Sequence, residues 1–269
     1  MNTFKSIVVA TDFSKNAKHA YQYAVQMAQS IGAAVKLVHI YGIPVDLNRE
    51  GFPAFTPDFE ALEKKMLSNL KKFAGNKDVE CAVYQGFAGD ILIDLSKKEG
   101  CDMLVVGSKG ETGLVEKLFG GIAALVMHKA FCPVLVVPPK SKFAGIDNII
   151  YTLSKESDEP NFIRMASSIS IKANAKLHLV HVNNAGASKM PDVRAIVQSL
   201  DVPCEVVDLD YVSTRGGIDV YREKNKAGLV IAATHHYAFW ENFTHASVTD
   251  SLIWNSEVPI LVLHREDKN

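Results

Sequence analysis

The sequence predicts an α/β protein made of two tandem doubly wound domains, each with a five-stranded parallel sheet. Three observations carry that prediction. At 269 residues the chain is too long for one ordinary core and about right for two, since domains cluster near ~100–150 residues. Short β-rich runs alternate with amphipathic stretches of helical period, as in parallel strands joined by crossover helices. The whole pattern also occurs twice. Val134-Leu135-Val136-Val137 after Pro133 returns 126 residues later as Ile260-Leu261-Val262-Leu263 after Pro259, and Leu104-Val105-Val106 returns at the same offset as Val230-Ile231-Ala232. Leu37-Val38-His39-Ile40 returns 142 residues later as Leu179-Val180-His181-Val182. The fall from 142 to 126 means that the second copy has lost sixteen residues. Much of that loss is expected opposite Tyr41–Asp58, a connection rich in Pro, Gly and Phe.

In chain order, the first copy is expected to place strands near Ser6–Ala10, Val35–Ile40, Val79–Tyr84, Met103–Val106 and Val134–Val137. Helices fall between them, near Lys15–Ile31, Asp58–Phe73, Asp90–Lys98 and Gly121–Ala130. The second copy repeats the strands near Asn148–Thr152, Lys176–Val182, Cys204–Asp208, Leu229–Ala232 and Ile260–Leu263. Pro138 and Pro139 cannot extend a central strand, so the boundary is set in the segment Pro138–Gly145, giving domains 1–140 and 146–269. Each fifth strand would otherwise be an exposed apolar edge. The two are therefore expected to pair antiparallel within the chain, as a pseudo-dimer, with further homodimerisation optional.

Composition narrows the function. Hydrophobic residues at 48% and charged residues at 22% are globular values, against disorder or a fibre. Lys plus Arg at 29 against Asp plus Glu at 30, a net charge of −1, gives no bulk attraction for nucleic acid or an acidic membrane, so neither is expected as a partner. No apolar run nears the ~20 residues that cross a bilayer, and Met1–Ser14 lacks the pattern of a secretion signal. A cytoplasmic location is expected. Cys81, Cys101, Cys132 and Cys204 form no C-x-x-C pair or zinc-knuckle spacing and read as reduced, mostly buried small apolar residues.

The motif that bears chemistry follows the fourth strand: Val106-Gly107-Ser108-Lys109-Gly110-Glu111-Thr112-Gly113-Leu114, then Gly120-Gly121 before an apolar helix. Glycines at the carboxyl end of a parallel strand let backbone approach a ligand, and the amides of a helix start present partial positive charge to phosphate. The pattern is neither Walker A nor the G-x-G-x-x-G of dinucleotide folds.

The spacing Gly107-x2-Gly110-x9-Gly120, with Thr11-Asp12-Phe13-Ser14 after the first strand and Cys132-Pro133-Val134-Leu135-Val136-Val137 at the end, resembles the universal stress protein family, here in a tandem two-domain form. The resemblance covers the whole first copy and, with weaker motifs, the second. It implies an adenine nucleotide alpha hydrolase-like fold and a stress-response sensor or regulator that binds ATP or a related adenine nucleotide, with magnesium as an optional companion. Carried over by position, the nucleotide-binding residues are Asp12, Ile40, Gly107, Gly110, Gly120 and Gly121; no catalytic residue and no metal ligand is assigned. With Asp12 better suited to ribose and Glu111 the only carboxylate in the run Val106–Leu114, no candidate base is found, so a non-enzyme is expected, with slow ATP hydrolysis left open. One departure stands out. The family pattern has Ser or Thr after the last glycine, where this chain has Gly121, a loss of about 0.5–1.5 kcal/mol, or ~1.5–3 against a charged phosphate. Turn chemistry alone also uses glycine. The alternative function is therefore a stress adaptor that binds no nucleotide and works through protein contacts.

The second copy departs further. At the 126 offset Gly107, Gly110 and Gly120 become Ala233, His236 and Ala246, with Ser247 at the hydroxyl position; Asp12 becomes Ser154, or Leu153 if one residue is gapped. Side chains in the path of phosphate predict no adenine nucleotide there. His235, His236 and His245 lie in the replacement loop without a defined Cys, Asp or Glu partner, so a metal site is not expected. His39 and His181 recur at matching strand positions, which suggests a satisfied hydrogen bond near the sheet end. Phe52, Phe55 and Phe59 read either as a lid or as a subunit contact, Lys109 as a solvated lysine or a phosphate partner, and Tyr237, Phe239 and Trp240 as packing against a neighbouring domain.

Overall fold

The computed structural model describes residues 4–42, 58–75, 78–98, 100–108, 121–153, 159–184, 189–234 and 257–264. In the first half the chain runs β1 (Ser6–Thr11), α1 (Lys15–Ile31), β2 (Ala34–Tyr41), α2 (Phe59–Ala74), β3 (Glu80–Gln85), α3 (Ala88–Ser96), β4 (Met103–Gly107), α4 (Gly121–Lys129) and β5 (Val134–Val137). The second half runs β6 (Asn148–Thr152), α5 (Glu159–Ala173), β7 (Lys176–Asn183), α6 (Arg194–Val197), β8 (Cys204–Asp210), α7 (Thr214–Asn225), β9 (Leu229–Thr234) and β10 (Ile260–His264). All ten expected strands are present, most of them a residue or two longer than the apolar runs that signal them.

Local chemistry sets the helix limits. Ser14 caps α1 by accepting the Ala17 amide, and Gly32 closes it at φ 69°, its amide donating to the Ala28 carbonyl. That left-handed turn suits glycine, which has no Cβ to clash. Asp58 caps α2 through the Ala61 amide, and Ser213 caps α7 through that of Gly216.

The strands form one ten-stranded sheet in the order β3-β2-β1-β4-β5-β10-β9-β6-β7-β8. Every neighbour pair is parallel except β5 with β10, which run antiparallel with Leu135 opposite Leu261. The expected intrachain pairing of the fifth strands is thus observed. Because strand side chains alternate faces, two cores form. Ile7, Val9, Leu37, Met103 and Leu135 share one with Ile149, Leu177 and Leu261 beneath α1, α2 and α5. Val8, Val38, Leu104 and Val134 share the other with Ile150, Val180 and Val262 beneath α3, α4 and α7. Each core runs through both halves. Lys172 of α5 donates to the Phe4 and Ile31 carbonyls at 3.2 and 3.5 Å, and His264 Nε2 donates to the Met127 carbonyl of α4 at 2.6 Å.

The sequence expectation about the lost residues needs correction. They fall between the second and third strands, but the greater part comes from the helix: α2 has 16 residues, and its counterpart α6 has 4. Two of the four cysteines, Cys101 and Cys132, are buried, while Cys81 and Cys204 are half-buried. "Mostly buried" therefore overstates the set.

Candidate functional site

In the order β3-β2-β1-β4-β5, the connections leave β1 toward β2 on one side and return to β4 on the other. In open α/β sheets, ligands sit beyond the carboxyl ends of the strands at such a reversal. Asp12 follows the last residue of β1, Gly107 is the last residue of the adjacent β4, and Ile40 lies one residue before the end of β2. The three strands are neighbours: Thr11 stands opposite His39, and Val9 opposite Val105. Gly107 in turn faces Val137 at the end of β5. Asp12, Ile40 and Gly107 therefore share one rim of the sheet.

Asp12 is exposed, and its Oδ1 accepts the Ser14 amide at 3.0 Å, while the Thr11 hydroxyl accepts the Phe13 amide at 3.0 Å. This turn aims the carboxylate outward and starts α1. Ile40 is half-buried against the core under α3 and α4. Gly121 opens α4, whose first turn holds no acidic residue to oppose an anion. Among the described residues, a Cβ built on Gly121 would meet nothing within 4 Å. Gly110 and Gly120 lie outside the described residues, as do Lys109, Glu111, Phe52, Phe55, the three loop histidines and the aromatic trio at 237–240. Phe59 is described, at the start of α2, and is exposed. Ser108 is buried, and its amide donates to the Val137 carbonyl at 3.0 Å, pinning the beginning of the glycine segment to β5.

Sequence reasoning missed Phe13. Its φ of 65° is a left-handed conformation that bulky residues rarely adopt, costing about 1–3 kcal/mol. The ring is held 4.3 Å from His39 and 5.5 Å from Phe73. His39 Nδ1 lies 2.8 Å from the Thr11 carbonyl, an acceptor only, so Nδ1 carries the proton. The expected structural hydrogen bond is therefore found. His181 satisfies the same expectation with a different partner, the Asp208 carboxylate at 2.8 Å.

The second copy offers a different rim. Thr152 stands opposite Val180 as Ala10 stands opposite Val38, and the Leu153 amide donates to the Val180 carbonyl at 2.8 Å. Leu153 is thus the counterpart of Thr11, and the gapped alignment is excluded: Ser154, itself outside the described residues, holds the sequence place of Asp12. Ala233 faces Leu263 as Gly107 faces Val137, which confirms that a methyl group replaces the first glycine. Among the described residues no group of three or more His, Cys, Asp or Glu is arranged to hold a metal ion, and no helix is long and apolar enough to cross a membrane.

Comparison with known proteins agrees with this geometry. The model of the universal stress protein family matches residues 3–138. A universal stress protein of Methanocaldococcus jannaschii is 30% identical over 146 residues, covering 52% of this chain and 86% of its own. One from Synechocystis is 21% identical over 288 residues and spans both halves, 96% of this chain and 99% of its own. Among solved structures, a universal stress protein from Archaeoglobus fulgidus superposes with a TM-score of 0.75 at 16% identity, covering 97% of this chain and 98% of that one.

Proposed function

The chain belongs to the universal stress protein family, and on that footing we propose that residues 1–140 form a domain that binds ATP or a related adenine nucleotide, making the protein a cytoplasmic stress sensor or regulator. Residues 146–269 form the second domain, which keeps the fold without the site. The observation that carries this reading is the shared rim: Asp12, Ile40 and Gly107 at the carboxyl ends of three adjacent strands, with the glycine segment leading into α4. In this arrangement the Asp12 carboxylate accepts hydrogen bonds from ribose hydroxyls and Ile40 packs on the base. Gly107, Gly110, Gly120 and Gly121 bring backbone amides to the phosphates. Magnesium would enter as a companion of the phosphates.

The role of the site is binding. Asp12 is committed to ribose in this reading, and the run Val106–Leu114 carries Glu111 as its one carboxylate, so multiple-turnover release of phosphate would count against the proposal. Calorimetry with ATP should give one site per chain. Asp12→Ala should weaken binding by roughly 10- to 150-fold, the loss of a hydrogen bond involving a charged group. Two equivalent sites, or affinity untouched by both Asp12→Ala and Gly110→Trp, would overturn it. The adaptor reading is favoured by one observation, the absence of a hydroxyl at Gly121, and complete lack of nucleotide binding by the intact chain would establish it.

A further inference from the structure

The Cys101 and Cys132 sulfurs lie 3.6 Å apart, and both side chains are buried, at 8% and 6% exposure. Neither residue belongs to the rim described above: Cys101 precedes β4 and Cys132 precedes β5, at the opposite, amino end of the sheet. The second copy provides an internal comparison. Its strands close in the same way, with the Val230 amide on the Pro259 carbonyl as the Leu104 amide is on that of Pro133. The positions matching Cys101 and Cys132 are Ala227 and Val258, which pack against the same core. Plain packing is thus met by Ala and Val, and the copy that carries the glycine motif has cysteine at both places.

We propose that Cys101 and Cys132 are an oxidisable dithiol, converted to an intramolecular disulfide by a hydroperoxide. One thiol, as its thiolate, attacks the peroxide oxygen and becomes a sulfenic acid, releasing water from hydrogen peroxide or an alcohol from an organic peroxide. The second thiol displaces the sulfenic oxygen as water, forming the S–S bond. Two thiols and one hydrogen peroxide thus yield one disulfide and two waters. The sulfurs need to close by roughly 1.5 Å to reach bonding distance. Reaction is slow, because the hydrogen bond that the Cys132 thiol makes to Cys101, together with burial, pushes its pKa well above the ordinary value and only thiolate attacks. Exposed Phe131 adjoins Cys132 in the chain, and Lys97 lies 4.7 Å from its ring.

The ring closed by this bond contains β4, Gly107, Gly110, Gly120, Gly121 and α4. Oxidation therefore tethers both ends of the glycine segment; this consequence, unlike the bond itself, rests on the nucleotide reading.

The test treats the full chain with hydrogen peroxide, removes the oxidant, alkylates in denaturant and maps peptides by mass. The expected product is a Cys101–Cys132 linked peptide lighter by two hydrogens, with Cys81 and Cys204 still alkylated. Cys101→Ala and Cys132→Val copy the residues of the second half, so folded variants without the linked peptide are expected. The proposal is overturned if all four thiols stay alkylatable while an added small thiol is consumed, or if sulfinic acids form without the link. In the same samples ATP affinity should differ several-fold between reduced and linked protein. Equal affinity removes the coupling, and no binding in either state removes the nucleotide reading, each independently of the mapped bond.

Discussion

Gly121 stands where the resemblance leads one to expect Ser or Thr, and its described surroundings would accept the change. Among the described residues nothing lies within 4 Å of a Cβ built there, and serine is the better helix former by a few tenths of a kcal/mol. Gly121→Ser is therefore expected to fold as well as the natural protein and to tighten ATP binding about 5-fold, for one added hydrogen bond near 1 kcal/mol. Titration calorimetry checks this, and an unchanged or weaker Kd would mean that the hydroxyl does not reach a phosphate. The placement of Asp12 and Gly107 at the carboxyl ends of β1 and β4 was legible in the sequence because the apolar runs before them mark those strands. Phe13 was not, since its left-handed backbone is set by contacts with His39 and Phe73, neighbours that only the folded chain assembles. The cysteine pair was hidden for the same reason: 31 positions separate its members, and the adjacency of β4 and β5 brings them together.

Among the elements, the strands were read almost to the residue, because β-branched runs flanked by turns announce themselves, whereas the helix between the second and third strands of the second copy was not placed. Its shrinkage to α6 has a consequence for β8. In the first half α2 packs along β3, but Val206 of β8 is 39% exposed on the face that α2 would cover. Both strands are sheet edges, so cover is the main difference between them, and amides of β8 should exchange with deuterium faster than those of β3. Equal protection would show that the single turn of α6 suffices. The other face of β7 supports a prediction about pH. Buried His178 places Nε2 3.0 Å from Asn148 Oδ1 and Nδ1 3.0 Å from the Tyr221 hydroxyl of α7, with Lys176 and the Glu205 carboxylate, 3.6 Å away, on neighbouring positions. Burial and then Lys176 lower its pKa below 6.5, with Glu205 acting in the opposite sense. A base with a lowered folded pKa is held neutral in the native state, so the unfolded chain binds the extra proton first. Its contribution is complete above pH 6.5 and is lost as pH falls below that value. The melting temperature should therefore fall between pH 7.5 and 5.5 by more in the natural protein than in His178→Gln, and parallel curves would reject the assignment.

The whole molecule is governed by the β5–β10 seam. Leu135 and Leu261 face each other across it with no exposed surface, and each core continues from one half into the other. Two domains joined only by a linker would unfold separately, and a ligand of the first would leave the second unaffected. Two halves that share their cores should unfold together. A single calorimetric transition is therefore expected for the full chain. ATP at about 100 times its Kd, adding roughly 2.7 kcal/mol, should raise that one transition by about 5–10 °C, although its proposed contacts lie wholly in residues 1–140. Leu261→Ala, in the half outside the proposed site, deletes buried atoms at the seam and should lower the same transition by the equivalent of about 2–5 kcal/mol. Nucleotide should then recover part of that loss, because binding to one half stabilises the folded state of both. Two resolved transitions, with ATP moving one and Leu261→Ala the other, would show that the seam joins the halves without coupling them. The degenerate copy would in that case stabilise nothing beyond itself, leaving its retention beside the site without a structural reason.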